Sequence, residues 1–266
     1  MKLLIDADYI VYKSCAGAES EIDYGEDLIV VISRFSEAMR NIERDLTRIK
    51  DQFPFHSGIS LHFSGPENFR KKIFPAYKGH RNRKKPCGYK RCIEELKERY
   101  HVVHKVMLEA DDSLGIAATL DGMGDCIIVS PDKDMKQIPG RHYNFTETFE
   151  VTPEEGRKWH LLQTVAGDNT DGYTGVPGMG LKKAEALFDN LGYTWAAVLE
   201  AFTDKGLTEE DALVNARLAK ILTSEDYDFK QREPIPWNPS PDYRADSRTE
   251  LQAKTDGAAA RKSRQS

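Results

Sequence analysis

Eight acidic side chains, spread from Asp6 to Asp171, are the residues of this sequence whose type and spacing could do chemistry. They fall into groups that each follow an apolar segment, and they are Asp6, Glu109, Asp111, Asp112, Asp132, Asp134, Asp168 and Asp171. Carboxylates buried close together are costly unless a cation neutralises them. Hard oxygen ligands without nearby His or Cys favour Mg²⁺, or Mn²⁺ in its place, over zinc. Because two such ions about 4 Å apart hydrolyse phosphodiesters, the pattern predicts two-metal phosphate chemistry.

The spacing within the groups supports this prediction. Asp168 and Asp171 are three positions apart and would share a face of a helix. Asp132 and Asp134 are two positions apart and would share a face of an extended segment. The alternative for any single acid is a helix cap or a solvated surface charge, and Asp111 stands before an apolar helix, where Asp is a favoured cap. Chance explains one such group more readily than four groups placed after four apolar segments.

Short apolar strands separated by helices are the elements that must position these acids. The predicted strands are Leu3–Asp6, Ile59–Phe63, Val102–Val103 and Cys126–Ser130, and the predicted helices cover about 27–50 and begin again at Asp111. This alternation predicts an α/β fold with a central, mostly parallel sheet flanked by helices. Ligands of such sheets bind beyond the carboxyl ends of the strands, where the acids through residue 134 stand. From about residue 152 the chain reads as nearly all helical.

A basic segment lies between the acidic groups. Residues 70–91 contain ten Lys or Arg and no Asp or Glu, although the net charge of the chain is −5. Local fields decide binding to a polyanion, so the negative total does not argue against a nucleic acid. Phe74, Tyr77 and Tyr89 interleave with the cations, a pattern in which cations follow phosphates and rings stack on unpaired bases. The alternative is a solvated basic face.

A glycine-rich turn precedes a predicted helix in the second half. Gly175, Gly178 and Gly180 are followed directly by Lys182 and Lys183. Exposed amides and the helix dipole at such a turn would hold a backbone phosphate. The alternative is a structural connector between two helices.

Several classes of protein are excluded. No apolar run approaches the roughly 20 residues that cross a bilayer, so no membrane association is expected. Asp6 and Asp8 interrupt the apolar N-terminal run, which argues against a signal peptide. The four cysteines lack paired metal spacing and read as reduced thiols, so we expect a cytoplasmic protein. Nothing in the sequence requires more than a monomer.

Five segments, occurring in the family's order, resemble the 5′-nuclease family that includes flap endonucleases, and most closely the phage 5′→3′ exonucleases. They are the N-terminal strand ending in DAD, FRKKIFPAYKGHRNRKKPCGY, MLEADDSLG, IIVSPDKDMKQIP and WHLLQTVAGDNTDGYTGVPGMG. The resemblance covers about residues 1–230. It implies a PIN-like sheet core over 1–150 with a helical, basic arch at about 66–100. It also implies a helical DNA-binding region with a helix-turn-helix over 151–232, followed by a tail over 233–266 that we expect to be loosely ordered.

The resemblance also assigns roles to individual residues. The first metal cluster matches Asp6, Glu109, Asp111 and Asp112, and the second matches Asp132, Asp134, Asp168 and Asp171. Tyr77, Lys78 and Arg81 match a YKxxR motif in which the ring stacks on the base near the scissile bond and the two catalytic cations contact the phosphate. The residues assigned to DNA binding are Arg70, Lys71, Tyr77, Arg83, Lys84, Lys85, Gly175, Val176, Gly178, Gly180, Lys182 and Lys183. In relatives the helix-turn-helix also binds K⁺ through backbone carbonyls.

One position departs from the family. Relatives carry an Asp just after the strand that ends near Phe63, whereas this chain has Ser64 and Gly65 there. Either Glu67 substitutes for that Asp, or the first metal is held by one carboxylate fewer.

The resemblance implies a Mg²⁺-dependent 5′→3′ exonuclease of double-stranded DNA, with flap cleavage and removal of RNA from RNA–DNA hybrids as related activities. A phage origin would place it in the host cytoplasm. Two alternatives stay open at this point. A metal-dependent ribonuclease of the acidic-cluster type would give no role to the glycine turn or the basic segment, and a DNA-end-binding protein with a decayed site would agree with the missing Asp.

Overall fold

The computed structural model describes residues 1–81, 84–120 and 124–239. The strands are β1 (Lys2–Asp6), β2 (Glu19–Asp23), β3 (Ile29–Ser33), β4 (Gly58–Phe63), β5 (His101–His104), β6 (Cys126–Val129), β7 (Gly140–Tyr143), β8 (Thr148–Val151), β9 (Tyr227–Asp228) and β10 (Glu233–Pro234). The α-helices are α1 (Ala7–Gly17), α2 (Phe35–Gln52), α3 (Arg70–Ile73), α4 (Tyr89–Arg99), α5 (Ala110–Ala118), α6 (Pro153–Ala166), α7 (Leu181–Leu191), α8 (Trp195–Thr203) and α9 (Glu209–Ala219). Two 3-10 helices cover Lys133–Gln137 and Ser224–Asp226.

The first of two compact units, the sheet unit, consists of Met1–Phe69, Arg81–Pro153 and Ile221–Pro234. Its six-stranded sheet has the order β5-β4-β1-β6-β7-β8. Every neighbouring pair is parallel except β7 with β8, which is antiparallel. The predicted α/β fold with a mostly parallel central sheet is therefore confirmed.

Strand β1 shows how the sheet is covered on both faces. Leu3 and Ile5 pack in one apolar cluster with residues of α1, α2 and α4. Leu4, between them, packs in a second cluster with Leu114 of α5 and Ile128 of β6. Successive side chains of a strand point to opposite faces, so the continuous apolar run of β1 satisfies two cores at once.

The prediction of one helix over about 27–50 is wrong in its first part. Ile29 and Ile32 lie in β3, which forms an antiparallel two-stranded sheet with β2, and α2 starts only at Phe35. β-Branched side chains are stiff and favour extended backbone, and the run Ile29-Val-Val-Ile32 contains nothing else. Gly25, with φ +76°, supplies the left-handed position that the connecting turn needs.

The second unit, the helical unit, consists of Arg70–His80, Glu154–Lys220 and the residues from Ile235 onward. Helices α6 to α9 enclose a core around Phe188, Trp195 and Phe202. The prediction of a nearly all-helical second half is confirmed by these helices, with the short pair β9–β10 as an addition. The predicted tail falls outside the described residues from 240 onward, and the three predicted domain boundaries stay predictions.

Within the described ranges, no helix is both long and apolar enough to cross a bilayer.

Candidate active site

Asp6 stands where β1 ends and α1 begins. Its Oδ1 accepts a hydrogen bond from the Tyr9 amide (3.3 Å), and its Oδ2 accepts one from the Ser130 hydroxyl (3.0 Å). The side chain is only 8% exposed. Burial, followed by the negative charge of Asp8 and a smaller effect of Asp132, raises the pKa of Asp6 to about 6. The charged form of Asp6 is therefore costly in free energy unless a cation lies nearby.

Asp132 and Asp134 follow β6 at the same edge of the sheet. Asp132 is the N-cap of the 3-10 helix Lys133–Gln137, and its Oδ1 accepts a hydrogen bond from the Asp134 amide (2.8 Å). The expectation that these two acids share a face of an extended segment therefore does not apply, because the chain turns helical after Asp132. Ser130 connects the two strand ends, since its hydroxyl oxygen also accepts a hydrogen bond from the Asp132 amide (3.2 Å).

The acids at the start of α5 divide into two kinds. Glu109 is the N-cap, and its amide donates to Asp112 Oδ2 (3.2 Å). The other oxygen of Asp112 accepts from the Leu222 amide (3.2 Å), and the side chain is fully buried. Asp111 is half-buried. The N-cap position considered for Asp111 is thus occupied by Glu109, and Asp112 accepts hydrogen bonds from backbone amides.

The exit of β4 is closed by backbone contacts. The Gly65 amide donates to the Leu108 carbonyl (2.7 Å), and the Ser64 hydroxyl accepts from the Ala110 amide (3.1 Å). A Cβ added at Gly65 would lie closer than 3.0 Å to the carbonyl oxygen of Lys105. The backbone at Gly65 has no room for a side chain, Ser64 carries a hydroxyl in place of a carboxylate, and Glu67 is exposed to solvent.

Asp8 is a site residue that the sequence reasoning missed. It lies in the first turn of α1, and its Oδ2 accepts a hydrogen bond from the Ser64 amide (2.9 Å). Its Oδ1 accepts a hydrogen bond from the hydroxyl of the buried Tyr89. Burial and the charge of Asp8 raise the pKa of Tyr89, so the phenol stays protonated and donates. The available signal was the DAD sequence itself, two acids spaced two apart at a strand end.

The helical unit holds the two remaining acids in a turn after α6. Asp168 Oδ1 accepts from the amides of Thr170 (2.6 Å) and Asp171 (3.2 Å), and Asp168 forms an isolated β-bridge with Tyr173. The two residues therefore lie in an Asp-initiated turn, and the helix on which a shared face would depend does not form there. Side chains of Asp type prefer such turns because they bond their own backbone two residues on.

Tyr77 and Lys78 both contact Asp171 within the helical unit. The Tyr77 hydroxyl donates to Asp171 Oδ2 (2.7 Å), while Lys78 Nζ lies 3.5 Å from the same oxygen. The Tyr77 ring is 1% exposed and packs with Tyr173 and Leu218. The ring is thus part of the core of the helical unit, and its stacking on a base stays a prediction. Lys78 adopts the left-handed conformation (φ +53°), which is unusual for a residue other than glycine.

The predicted DNA-binding cations differ in exposure. Arg70 is 3% exposed, and its guanidinium donates to the carbonyls of Leu218 (3.0 Å) and Lys220 (2.5 Å) at the end of α9. The Arg70 side chain thus satisfies carbonyls that the helix end leaves without partners, and its assignment to DNA binding stays a prediction. Of the other cations predicted at the site, Lys71, Arg81, Lys84 and Lys85 are exposed, and Arg83 lies outside the described residues.

The glycine turn combines a buried and an exposed part. Gly175 is buried with φ +58°, and a Cβ there would meet the backbone of Gly167. The side chain of Val176 is buried in the core and its amide donates to the Val165 carbonyl (2.8 Å), and its assignment as a DNA contact stays a prediction. Gly178, Gly180, Lys182 and Lys183 are exposed, with Gly180 as the N-cap of α7. Lys183 Nζ donates to the Gly178 carbonyl (2.9 Å).

No ready-made cation cage is present in the described parts of the chain, where no three His, Cys, Asp or Glu side chains converge as a metal-binding group. The carboxylates instead face hydroxyl and amide donors, as Asp6, Asp112 and Asp132 do. The metal-ligand assignments therefore stay predictions.

The fold and these side chains first define a class of protein. A mostly parallel sheet with carboxylates after β1 and β6 is typical of α/β enzymes, whose ligands bind beyond the carboxyl ends of the strands. Residues 1–160, more than half of the chain, match the family described as "5'-3' exonuclease, N-terminal resolvase-like domain". The chain belongs to this family and is a nuclease, so the resemblance to 5′-nucleases is confirmed.

Relatives over nearly the full length are phage proteins. The exodeoxyribonuclease of Enterobacteria phage T3 is 28% identical over 279 residues, which cover 89% of this chain and 92% of that protein. The exonuclease of Escherichia phage T7 is 28% identical over 280 residues, covering 89% and 93%. Among solved structures, the bacteriophage T5 flap endonuclease in complex with DNA and metal ions has a TM-score of 0.61 at 15% identity, covering 83% of this chain and 89% of that one. This likeness shows that the two proteins share a fold.

Proposed function

We propose that this nuclease is a Mg²⁺-dependent 5′→3′ exonuclease of double-stranded DNA that acts by two-metal phosphodiester hydrolysis. Flap cleavage and removal of RNA from RNA–DNA hybrids are proposed as related activities of the same site. Membership of the 5′-3′ exonuclease family supports the direction of attack. The name of the phage T3 relative, an exodeoxyribonuclease, supports DNA as the substrate.

The observation that carries the proposal is the group of carboxylates at the carboxyl ends of β1 and β6. Asp6 is buried and is close enough to Asp8 and Asp132 for their charges to repel. Among the described residues, none of these three acids forms an ion pair with Lys or Arg. Oxygen donors of this kind fit a hard divalent cation, and Mn²⁺ should replace Mg²⁺. When bound, the ions supply Lewis-acid stabilisation of charge on the phosphate and activation of water.

The proposed metal ligands are the acids that the resemblance assigns. They are Asp6, Glu109, Asp111, Asp112, Asp132, Asp134, Asp168 and Asp171. Asp112 accepts a hydrogen bond from the Glu109 amide at one oxygen and from the Leu222 amide at the other, and these contacts fix the start of α5.

Cations of this chain are proposed to hold the DNA. Lys78 and Arg81 contact the phosphate at the point of cleavage, while the exposed Lys71, Lys84 and Lys85 follow the backbone. Each neutralised phosphate releases counterions, so binding should weaken steeply with salt.

The exposed turn from Gly178 to Lys183 is proposed to hold a duplex phosphate at the start of α7, which has no acid in its first turn. The K⁺ implied by the resemblance is proposed to bind at this turn. Lys183 Nζ donates a hydrogen bond to the Gly178 carbonyl there. We also propose that the protein acts as a monomer in the cytoplasm.

A cleavage assay on labelled substrates tests the proposed function. Blunt duplex, 5′-flap DNA and a matched RNA–DNA hybrid are incubated with Mg²⁺, with Mn²⁺ and with EDTA. We expect cleavage from the 5′ end with either metal and none in EDTA.

The variant Asp132→Asn tests the metal site itself. Loss of a group that only supports a metal ligand costs roughly 10–100-fold in activity. Loss of a ligand should reduce the rate further, with DNA binding retained. The control Asp51→Asn changes an exposed acid at the end of α2 and should cleave like the parent. Parent-like cleavage by Asp132→Asn would overturn the assignment, and cleavage of RNA alone would indicate a ribonuclease.

A further inference from the structure

We infer that Asp8 is a metal ligand of this chain, which supplies from α1 the carboxylate that relatives supply from the residue after β4. This inference rests on the proposed function, since it assigns a further ligand to the same metal site. Three features support it. The chain after β4 supplies no acid, the Asp8 carboxylate is held in place by two hydrogen bonds, and that carboxylate can still accept further contacts.

The corner after β4 cannot carry a side chain at Gly65. The Gly65 amide is bonded to the Leu108 carbonyl, and an added Cβ would meet the Lys105 carbonyl oxygen closer than 3.0 Å and the Leu108 carbonyl oxygen at 3.2 Å. Both obstacles are backbone atoms, which do not move aside as a flexible side chain does. Ser64, the other residue at this corner, carries a hydroxyl that accepts a hydrogen bond from the Ala110 amide. Neither residue after β4 therefore supplies an acid, and a replacement must come from another element.

Asp8 comes from that other element and is held against the same corner. Its Oδ2 accepts from the Ser64 amide at 2.9 Å, and its Oδ1 accepts from the Tyr89 hydroxyl. Tyr89 is 6% exposed at the start of α4, so it fixes the carboxylate from a rigid position. Asp8 is also the acid whose charge acts most strongly on Asp6. It thus lies beside the first proposed ligand with its orientation set.

The remaining acceptor capacity of Asp8 fits a cation. An ionised carboxylate offers about four lone-pair directions, and the two described hydrogen bonds use two of them. Its side chain is half-buried and, in the described part of the chain, has no Lys or Arg partner. Because neither neighbouring donor carries a charge, the full negative charge of Asp8 is available to a metal.

Binding of Mn²⁺ to the full chain, measured by isothermal titration calorimetry, tests the inference without relying on turnover. Asp8→Asn keeps the shape, and its amide can still pair with Ser64 and Tyr89. We expect it to weaken the tightest Mn²⁺ site by at least roughly tenfold, with Asp6→Asn as the positive control. The exposed Asp51→Asn serves as the matched control and should bind Mn²⁺ like the parent. Circular dichroism in EDTA checks that each variant is folded.

The outcomes separate this inference from the proposed function. Parent-like Mn²⁺ binding by Asp8→Asn, together with weakened binding by Asp6→Asn, would overturn the inference and leave the proposed function intact. A parent protein that cleaves DNA equally in Mg²⁺ and in EDTA would overturn the proposed function itself.

If Asp8→Asn does not fold, Asp8→Glu is the second variant, since it keeps the charge but moves it outward by one methylene. Weaker Mn²⁺ binding by Asp8→Glu supports the inference, and unchanged binding contradicts it.

Discussion

His62 should make the stability of the sheet unit depend on pH. It lies on β4 beside Asp6 of β1, and its imidazole contacts the hydroxyls of Ser60 (Nε2, 3.0 Å) and Ser113 of α5 (Nδ1, 2.8 Å). Burial, followed by the positive charges of His101 and Lys105, lowers the pKa of His62 from 6.5 to about 3. The folded state therefore holds a neutral imidazole that ties the exit of β4 to the helix bearing three of the predicted ligands.

The sign and size of the effect follow from linkage. A histidine whose pKa is lowered by folding contributes its full stability above pH 6.5, and this contribution is lost as the pH falls from 6.5 toward 3. Between pH 7 and pH 5 the unfolded chain takes up most of a proton at this position while the folded chain takes up almost none. The loss over this interval is about 2 kcal/mol. Since pH 5 lies well above the pKa of His62 in the folded state, the pKa in the unfolded state alone sets this free-energy loss.

The assay compares urea unfolding of the parent and of His62→Gln at pH 7 and pH 5. All three tryptophans, Trp159, Trp195 and Trp237, lie in the helical unit, so far-UV circular dichroism is the suitable signal. The variant should be less stable at pH 7 but should lose about 2 kcal/mol less than the parent between the two pH values. Equal losses in both proteins would refute the reasoning. An NMR titration midpoint of His62 near 6.5 in the folded protein would refute it directly.

Three further predictions concern residues whose structural role differs from, or sharpens, the one expected from sequence. Gly65→Asp, which places an acid at one of the two positions after β4, should destabilise the protein by roughly 1–3 kcal/mol because the backbone there has no room for a side chain; urea unfolding equal to the parent's would contradict the closed corner. Arg70→Leu should cost about 1–3 kcal/mol, since it leaves two carbonyls at the end of α9 without their donor, and it should leave the salt dependence of DNA binding unchanged. By contrast, replacing the exposed Lys71 and Lys84 by Ala should leave unfolding unchanged and reduce the slope of log K against log salt by about 0.9 for each phosphate that is no longer neutralised. Fluorescence anisotropy at several salt concentrations measures both slopes, and a parent-like slope for the double variant would show that these lysines do not contact DNA.

The parts of the fold that could be predicted from sequence are those set by local pattern. The runs that became β1, β4 and β6 are apolar on both faces because a covered parallel sheet buries both, so their ends, and with them Asp6 and Asp132, could be located. The hairpin of β2 and β3 was misassigned because its apolar residues happen to match helical spacing with those of α2. There the β-branched composition was the better guide.

Roles within the basic segment could not be predicted, because composition does not tell which cations face water. Arg70 and Lys71 are neighbours of like charge, yet Arg70 is buried against carbonyls almost 150 positions away and Lys71 is exposed. The hydroxyl of Tyr77 likewise finds a partner 94 positions along the chain. A buried polar group must find a partner, and the partner decides whether the group faces solvent. Long-range pairing of this kind leaves no trace in the local sequence.

The same reasoning explains why Asp8 was overlooked and why it matters. In sequence, Asp8 looks like an acid in the first turn of a helix, where acids are common because they complement the helix dipole. Only the tertiary structure shows that the Ser64 amide and the Tyr89 hydroxyl hold its carboxylate beside that of Asp6. An acid that served the dipole alone would gain nothing from two fixed donors and would avoid a buried like charge. The arrangement instead raises the repulsion at the end of β1, which is favourable only if a cation completes the site.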